Sequence, residues 1–212
     1  MRILYLHGFA SSPASRKARW FLEKLGEQGI RAEALDLAPD FRHLTISGQL
    51  GVLERALGGE RVVLIGSSLG GYLAALYAAR SPEVERLILL APAFDFYQLW
   101  AAELGPEKMR EWRENGSISV FHYGIGRQAL LDYQMMEDAR QYEAFPDFRQ
   151  PCLILHGLKD TVVPFGKSAE FADSHANVTL IPLHSGHELT DMLSEIWQAS
   201  STFLLSASTK VE

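Results

Sequence analysis

Four stretches of the chain are apolar runs that stop at turn residues: Ile3–Leu6 before His7-Gly8, Arg61–Ile65 before Gly66, Arg86–Leu90 before Ala91-Pro92, and Cys152–Leu155 before His156-Gly157. Runs this short, without polar alternation, fit strands buried on both faces. Arg31–Leu35 and Val178–Pro182 are weaker candidates of the same kind. Between them lie helical patterns over Ser15–Gln28, Thr45–Leu57, Leu69–Arg80, Gly166–Ser174 and Leu189–Leu205. Strand and helix alternating in this way predict an α/β fold: a mostly parallel sheet of about six strands, helices on both faces, and right-handed crossovers.

Residues 92–150 interrupt the alternation. They carry helix-like pieces at Phe94–Leu104, Glu107–Glu114 and Arg127–Tyr142, and a hairpin arm at Ser117–Tyr123 opened by Asn115-Gly116. Half of the chain's aromatic residues fall in this segment. The enrichment predicts a small cap inserted over one end of the sheet of a single domain spanning 1–212, with Phe94, Trp100, Trp112 and Tyr133 as candidate pocket residues. The competing reading is that these rings complete a core between irregular helices.

Composition narrows the function. The 212 residues are 47% hydrophobic and 22% charged, as in an ordinary globular protein, and suffice for one domain with a substantial core. A net charge of −6 without any Lys/Arg block offers nothing to a nucleic-acid backbone or an anionic membrane. The single cysteine, Cys152, excludes an internal disulfide and reads as a buried inert thiol. No apolar run approaches the roughly 20 residues of a membrane span, and the opening residues lack a signal-peptide pattern. The expected location is the cytoplasm; the oligomeric state stays open.

The strongest chemical signal is Gly66-Ser67-Ser68-Leu69-Gly70, a G-x-S-x-G run between a β-branched strand and an alanine-rich helix. A serine in so sharp a strand-to-helix turn is held in a strained conformation, and small neighbours let the chain pass close by. Its hydroxyl then stands at the carboxyl end of the sheet above a helix N-terminus. Ser68, not Ser67, occupies the central position. The plain alternative is a Gly/Ser-rich turn with no chemistry.

A serine nucleophile needs a base and a group to orient that base. The run Cys152–Leu155 leads into a loop holding Asp160, and Val178–Pro182 leads into His184-Ser185-Gly186-His187. Ser68, Asp160 and His187 therefore follow the order Ser…Asp…His of this architecture. Asp147 and Asp191 are weaker acids because neither directly follows a strong strand. His184 is the weaker base, since the glycine before His187 suits a turn presenting that ring. The H-x-x-H pair they form has no third ligand at suitable spacing, so no metal is expected.

Acyl transfer also needs two backbone N–H groups aimed at the developing oxyanion. Leu69 follows the nucleophile, and Phe9 lies in the loop after the first strand, which should run beside the third where strand order reverses. His7 reads as a support of that loop. Gly124-Ile125-Gly126 resembles half a dinucleotide fingerprint but lacks a surrounding βαβ unit, so no cofactor is expected.

These motifs resemble the α/β-hydrolase superfamily over roughly residues 2–91 and 151–205. The opening Leu6-His7-Gly8-Phe9-Ala10-Ser11-Ser12-Pro13 is similar to that of the small YqiA-like bacterial esterases. The resemblance implies a shortened hydrolase sheet, a Ser-Asp-His triad and no cofactor. A serine at position 68 disfavours dehalogenases, which carry aspartate there, and dienelactone hydrolases, which carry cysteine. The expected activity is hydrolysis of a small-molecule carboxylic ester or thioester through an acyl-enzyme. An amidase or peptidase of the same fold, or a non-catalytic binding protein on this scaffold, remain the alternatives.

Overall fold

The computed structural model describes residues 1–205, so the last seven positions of the expected domain, 206–212, lie outside the described residues. All six expected strands form one parallel sheet: β1 (Arg2–Leu6), β2 (Arg31–Leu35), β3 (Val62–Ser67), β4 (Val84–Leu90), β7 (Cys152–Gly157) and β8 (Val178–Leu183). Their spatial order is β2-β1-β3-β4-β7-β8. The chain thus steps from β1 to one side, returns across it to β3, and continues the other way. The loops leaving β1 and β3 part at that reversal and open a crevice between them.

Successive side chains on each strand serve opposite faces, as the pleat requires. Leu4, Leu6, Val62, Leu64, Cys152 and Ile154 join one apolar cluster. Ile3, Tyr5, Val63, Ile65, Leu153 and Leu155 join the other. α2 (Ile46–Leu57), α3 (Leu69–Ala78) and α6 (Phe165–Ser174) contribute to the first cluster, and α1 (Arg16–Glu27) and α7 (Leu193–Leu205) to the second. Local capping marks the helix ends. Ser15 Oγ accepts from Ala18 N–H at 3.3 Å to start α1, Thr45 Oγ1 accepts from Gly48 N–H at 2.9 Å to start α2, and Gly58 closes α2 in the left-handed region. No described helix is long and apolar enough to cross a membrane.

The insertion departs from the sequence expectation in one place. α4 (Phe96–Asn115) contains the first two predicted helical pieces apart from Phe94-Asp95, separated by the non-helical Gly105 before Pro106. β5 (Ser117–His122) is the expected hairpin arm, but its partner is β6 (Arg127–Asp132), which the periodicity assigned to a helix. Only Gln134–Ala139 of that stretch is helical, as α5. Gly126, at φ 67°, lets the chain reverse after His122. Leu131 then points into the core while Leu130 stays exposed, a period of two that a helical reading of Ala129-Leu130-Leu131 misses. α7 also starts later than expected, because Leu189 sits at φ 57° and breaks the pattern before Leu193.

Candidate active site

β3 delivers Ser68 into a backbone conformation of φ 53° and ψ −118°, outside the usual basins for a side-chain-bearing residue. Glycines make the turn possible. A Cβ on Gly66 would run into the Gly70 carbonyl, and one on Gly70 into the Leu6 carbonyl of the neighbouring strand. The strained residue is tied on both sides: Ser68 N–H donates to Leu90 O at 2.9 Å, and Ser68 O accepts from Ala93 N–H at 3.0 Å. Its Oγ therefore stands at the end of the sheet with the N-terminus of α3 directly after it.

The loops after β7 and β8 reach the same place. Gly157 permits this, since a Cβ there would strike the Ser185 carbonyl of the second loop. His187 Nε2 lies 3.0 Å from Ser68 Oγ, and its Nδ1 lies 2.7 Å from Asp160 Oδ2. Nδ1–H donates to the carboxylate, which leaves Nε2 as an acceptor for the serine hydroxyl. The Asp160 carboxylate is fully buried, and its other oxygen accepts from Val162 N–H at 2.9 Å and Val163 N–H at 2.8 Å. Burial pushes its pKa up, but hydrogen bonds from His156, His187 and Val163 and the charge of His187 outweigh that and hold it well below the usual carboxylate range.

His156 is a site residue that motif reading passed over. Its fully buried ring places Nε2 3.1 Å from Asp160 Oδ2 and 2.9 Å from Val163 O, two acceptors, so Nε2 carries the hydrogen. Nδ1 sits 2.7 Å from Ser168 Oγ of α6. Its polar ring at the end of an apolar strand, four residues before an aspartate, was the available signal. The rival residues take other positions. Asp191 accepts from Ser185 Oγ at 2.5 Å and braces the histidine loop, Asp147 is exposed near His175, and His184 is exposed. Burial raises the thiol pKa of Cys152 within the sheet.

The loop after β1 completes one wall. His7 donates from Nδ1 to Gly8 O at 2.9 Å and accepts at Nε2 from Leu37 N–H at 3.2 Å, and burial lowers its pKa, so the ring stays neutral. Among the described residues, the backbone N–H groups of Phe9 and Leu69 have no protein acceptor. Both residues line the same crevice as Ser68 and His187, which has a volume of about 1020 Å³.

Of the four aromatic residues expected at the pocket, Trp100 lines this crevice, beside Phe96 and Leu99 of α4, and meets the Phe9 ring edge-on at 4.7 Å. Phe94, Trp112 and Tyr133 do not line it. Phe94 is fully buried and stacks on Phe171 at 4.3 Å. Trp112 donates from Nε1 to Leu131 O at 3.0 Å, and Tyr133 packs edge-on against it with its hydroxyl on Arg113. These three rings join the apolar cluster under the sheet's own helices. Large planar rings gain most where all sides are covered, and the crevice wall covers only one.

Residues 2–204 match the family described as uncharacterised protein family UPF0227. The chain belongs to this family. It is a member of the α/β-hydrolase superfamily, consistent with its relatives. It is 28% identical to the AB hydrolase superfamily protein YisY of Bacillus subtilis, over 87% of this chain and 84% of that one. Palmitoyl-protein thioesterase ABHD10 of Rattus norvegicus is 26% identical, over 89% of this chain and 69% of its own. Among solved structures, Est1E from Butyrivibrio proteoclasticus superposes with a TM-score of 0.82 at 22% identity, covering 99% of this chain and 88% of that one.

Proposed function

We propose that this hydrolase cleaves a carboxylic ester or thioester of a small molecule through an acyl-enzyme on Ser68. The observation that carries the reading is the relay from Ser68 Oγ to His187 to Asp160, at 3.0 and 2.7 Å, built on a strained turn. His187 Nε2 takes the hydroxyl proton as Oγ attacks the substrate carbonyl carbon. The tetrahedral oxyanion accepts from the free N–H groups of Phe9 and Leu69. Its collapse breaks the bond to the alcohol or thiol, which leaves with the proton now on His187. Water then attacks the acyl-serine, gives its proton to the same nitrogen, and the acid departs as Ser68 regains its hydrogen.

Residues 92–150 act as a cap whose crevice-facing side, Phe96, Leu99 and Trp100, receives the acyl chain, while Phe94, Trp112 and Tyr133 hold the cap to the core. A relative named as a palmitoyl-protein thioesterase supports acyl transfer to water as the reaction class. Labelling with a fluorophosphonate probe, followed by turnover of p-nitrophenyl esters and acyl-CoA thioesters, tests the reading. Ser68→Ala should lose both labelling and roughly 10⁵- to 10⁶-fold in kcat while remaining folded. Full activity in that variant would refute the assignment.

A further inference from the structure

One end of the crevice carries charge that stability alone does not explain. Lys17, in the first turn of α1, lines the crevice with its side chain nine-tenths buried, and its ammonium, which keeps access to the crevice, has no hydrogen-bond or ion-pair partner among the described residues. Tyr5 of β1 lines the same crevice, and its buried hydroxyl has Ser67 beside it but no partner at hydrogen-bond geometry among the described residues. Burying the Tyr5 hydroxyl without an acceptor costs free energy, and so does stripping most of the water from around a cation. The helix adds to the imbalance. A positive dipole end favours acidic residues in the first turn, and α1 has none there, but the basic Arg16, Lys17 and Arg19. Arg16, also in the lining, makes no ion pair among the described residues.

We infer that Lys17, with the Tyr5 hydroxyl and the N-terminal turn of α1, binds an anionic group carried by the leaving alcohol or thiol of the substrate. An anion there would accept from both unpartnered donors and meet the helix dipole at its positive end. Burial lowers the Lys17 pKa and raises that of Tyr5 well above its ordinary value, so the phenol remains a neutral donor. The carboxylates of Glu188 and Asp160 act on Lys17 through space and offset part of its burial, but neither forms an ion pair with it. Glu188 and Glu103, the acidic residues in the lining, are both solvent-exposed.

Which half of the substrate is bound there follows from the neighbours. Ala18, next to Lys17, and Leu189, two residues after His187, pack in one apolar cluster, whereas Phe96, Leu99 and Trp100 belong to the other, so within the crevice they share Lys17 lies on the histidine side of Ser68. The leaving oxygen or sulfur must lie next to His187 Nε2 to receive its proton. The departing group therefore runs past His187 toward Lys17, and the acyl chain faces Phe96, Leu99 and Trp100. This placement rests on the acyl-enzyme reading above; the anion site itself does not.

The test compares the butyrate ester of 4-hydroxybenzoate with that of methyl 4-hydroxybenzoate, each kcat/KM corrected for the ester's alkaline hydrolysis rate. The wild type should prefer the anionic ester, and in Lys17→Met the anionic-to-neutral ratio should fall roughly 10- to 100-fold, the worth of a charge-assisted hydrogen bond. Lys17→Arg should keep most of the preference. An unchanged ratio in a folded Lys17→Met protein overturns the inference. So does a preference for mono-p-nitrophenyl glutarate over its methyl ester without one for 4-hydroxybenzoate, which would put the anion on the acyl side. Calorimetric titration separates the site from turnover. The wild type should bind 4-hydroxybenzoate more tightly than its methyl ester whether or not either butyrate is hydrolysed, and equal affinities would mean that water alone fills the donors.

Discussion

Ser68 is held at a positive φ that costs about 1–3 kcal/mol, and the hydrogen bonds of its own N–H and C=O to the next strand and loop keep it there. Its partner Asp160 gives a prediction with a definite sign. The folded carboxyl lies well below the usual carboxylate range, so as pH falls the unfolded chain takes up that proton first. The stabilisation is complete above the unfolded value of about 4 and drains away as pH falls toward the folded value. Urea unfolding at a series of pH values should therefore show a shallower loss of stability below pH about 4 in Asp160→Asn than in the wild type. An identical slope would mean that Asp160 is not held ionised. His156 belongs to the same account as a positioning residue. Replacing it by Leu removes a donor from a buried carboxylate and should lower kcat roughly 10- to 100-fold with little change in KM. The Asp160 pKa should rise with that loss, moving acid unfolding to higher pH; a variant with wild-type kcat and acid midpoint would deny His156 this role.

At the scale of elements, close backbone approach decides where side chains are allowed. α3 leaves β3 so steeply that a Cβ on Gly70 meets the carbonyl of Leu6 on β1. Gly70→Ala must push two strands and a helix apart, and should destabilise by about 1–3 kcal/mol or more while displacing the Ser68 turn. Gly51 is the opposite case. It lies mid-way along α2, and an added Cβ would meet only the flexible end of Arg55 at 3.4 Å. Gly51→Ala should stabilise by about 0.5–1 kcal/mol, through helix propensity and a stiffer unfolded chain. Equilibrium denaturation of the pair checks both signs. The interiors of β1, β3, β4 and β7 were legible from sequence because these strands are mostly buried on both faces, and α1 and α2 because each starts at a side-chain cap. β6 was not. Ala129-Leu130-Leu131 fits either period over so short a span, and only pairing with β5 selects the strand.

For the whole molecule, the insertion sorts its aromatic rings into two jobs. Trp112 is almost fully enclosed, so Trp112→Ala should cost about 3–5 kcal/mol of stability. Trp100 stands at the crevice wall. Trp100→Ala should cost less and instead move the acyl-chain length at which kcat/KM peaks, since each methylene buried is worth at most about 0.8 kcal/mol. Thermal melts and a p-nitrophenyl ester series on both variants distinguish these outcomes, and an unmoved optimum in Trp100→Ala would remove it from the pocket. Sequence by itself determined the six strands, the parallel order implied by their alternation with helices, and which serine, aspartate and histidine stand at strand ends. Those features are written in short-range periodicity, turn chemistry and chain order, all of which survive without knowledge of distant contacts. Only the tertiary structure decided that His156 hydrogen-bonds Asp160, that three of four candidate rings face the core, and that Lys17 lines the crevice with no partner among the described residues. Each of these depends on which residues meet across a sheet and a crevice, and burial and partnering are properties of that meeting rather than of any residue type.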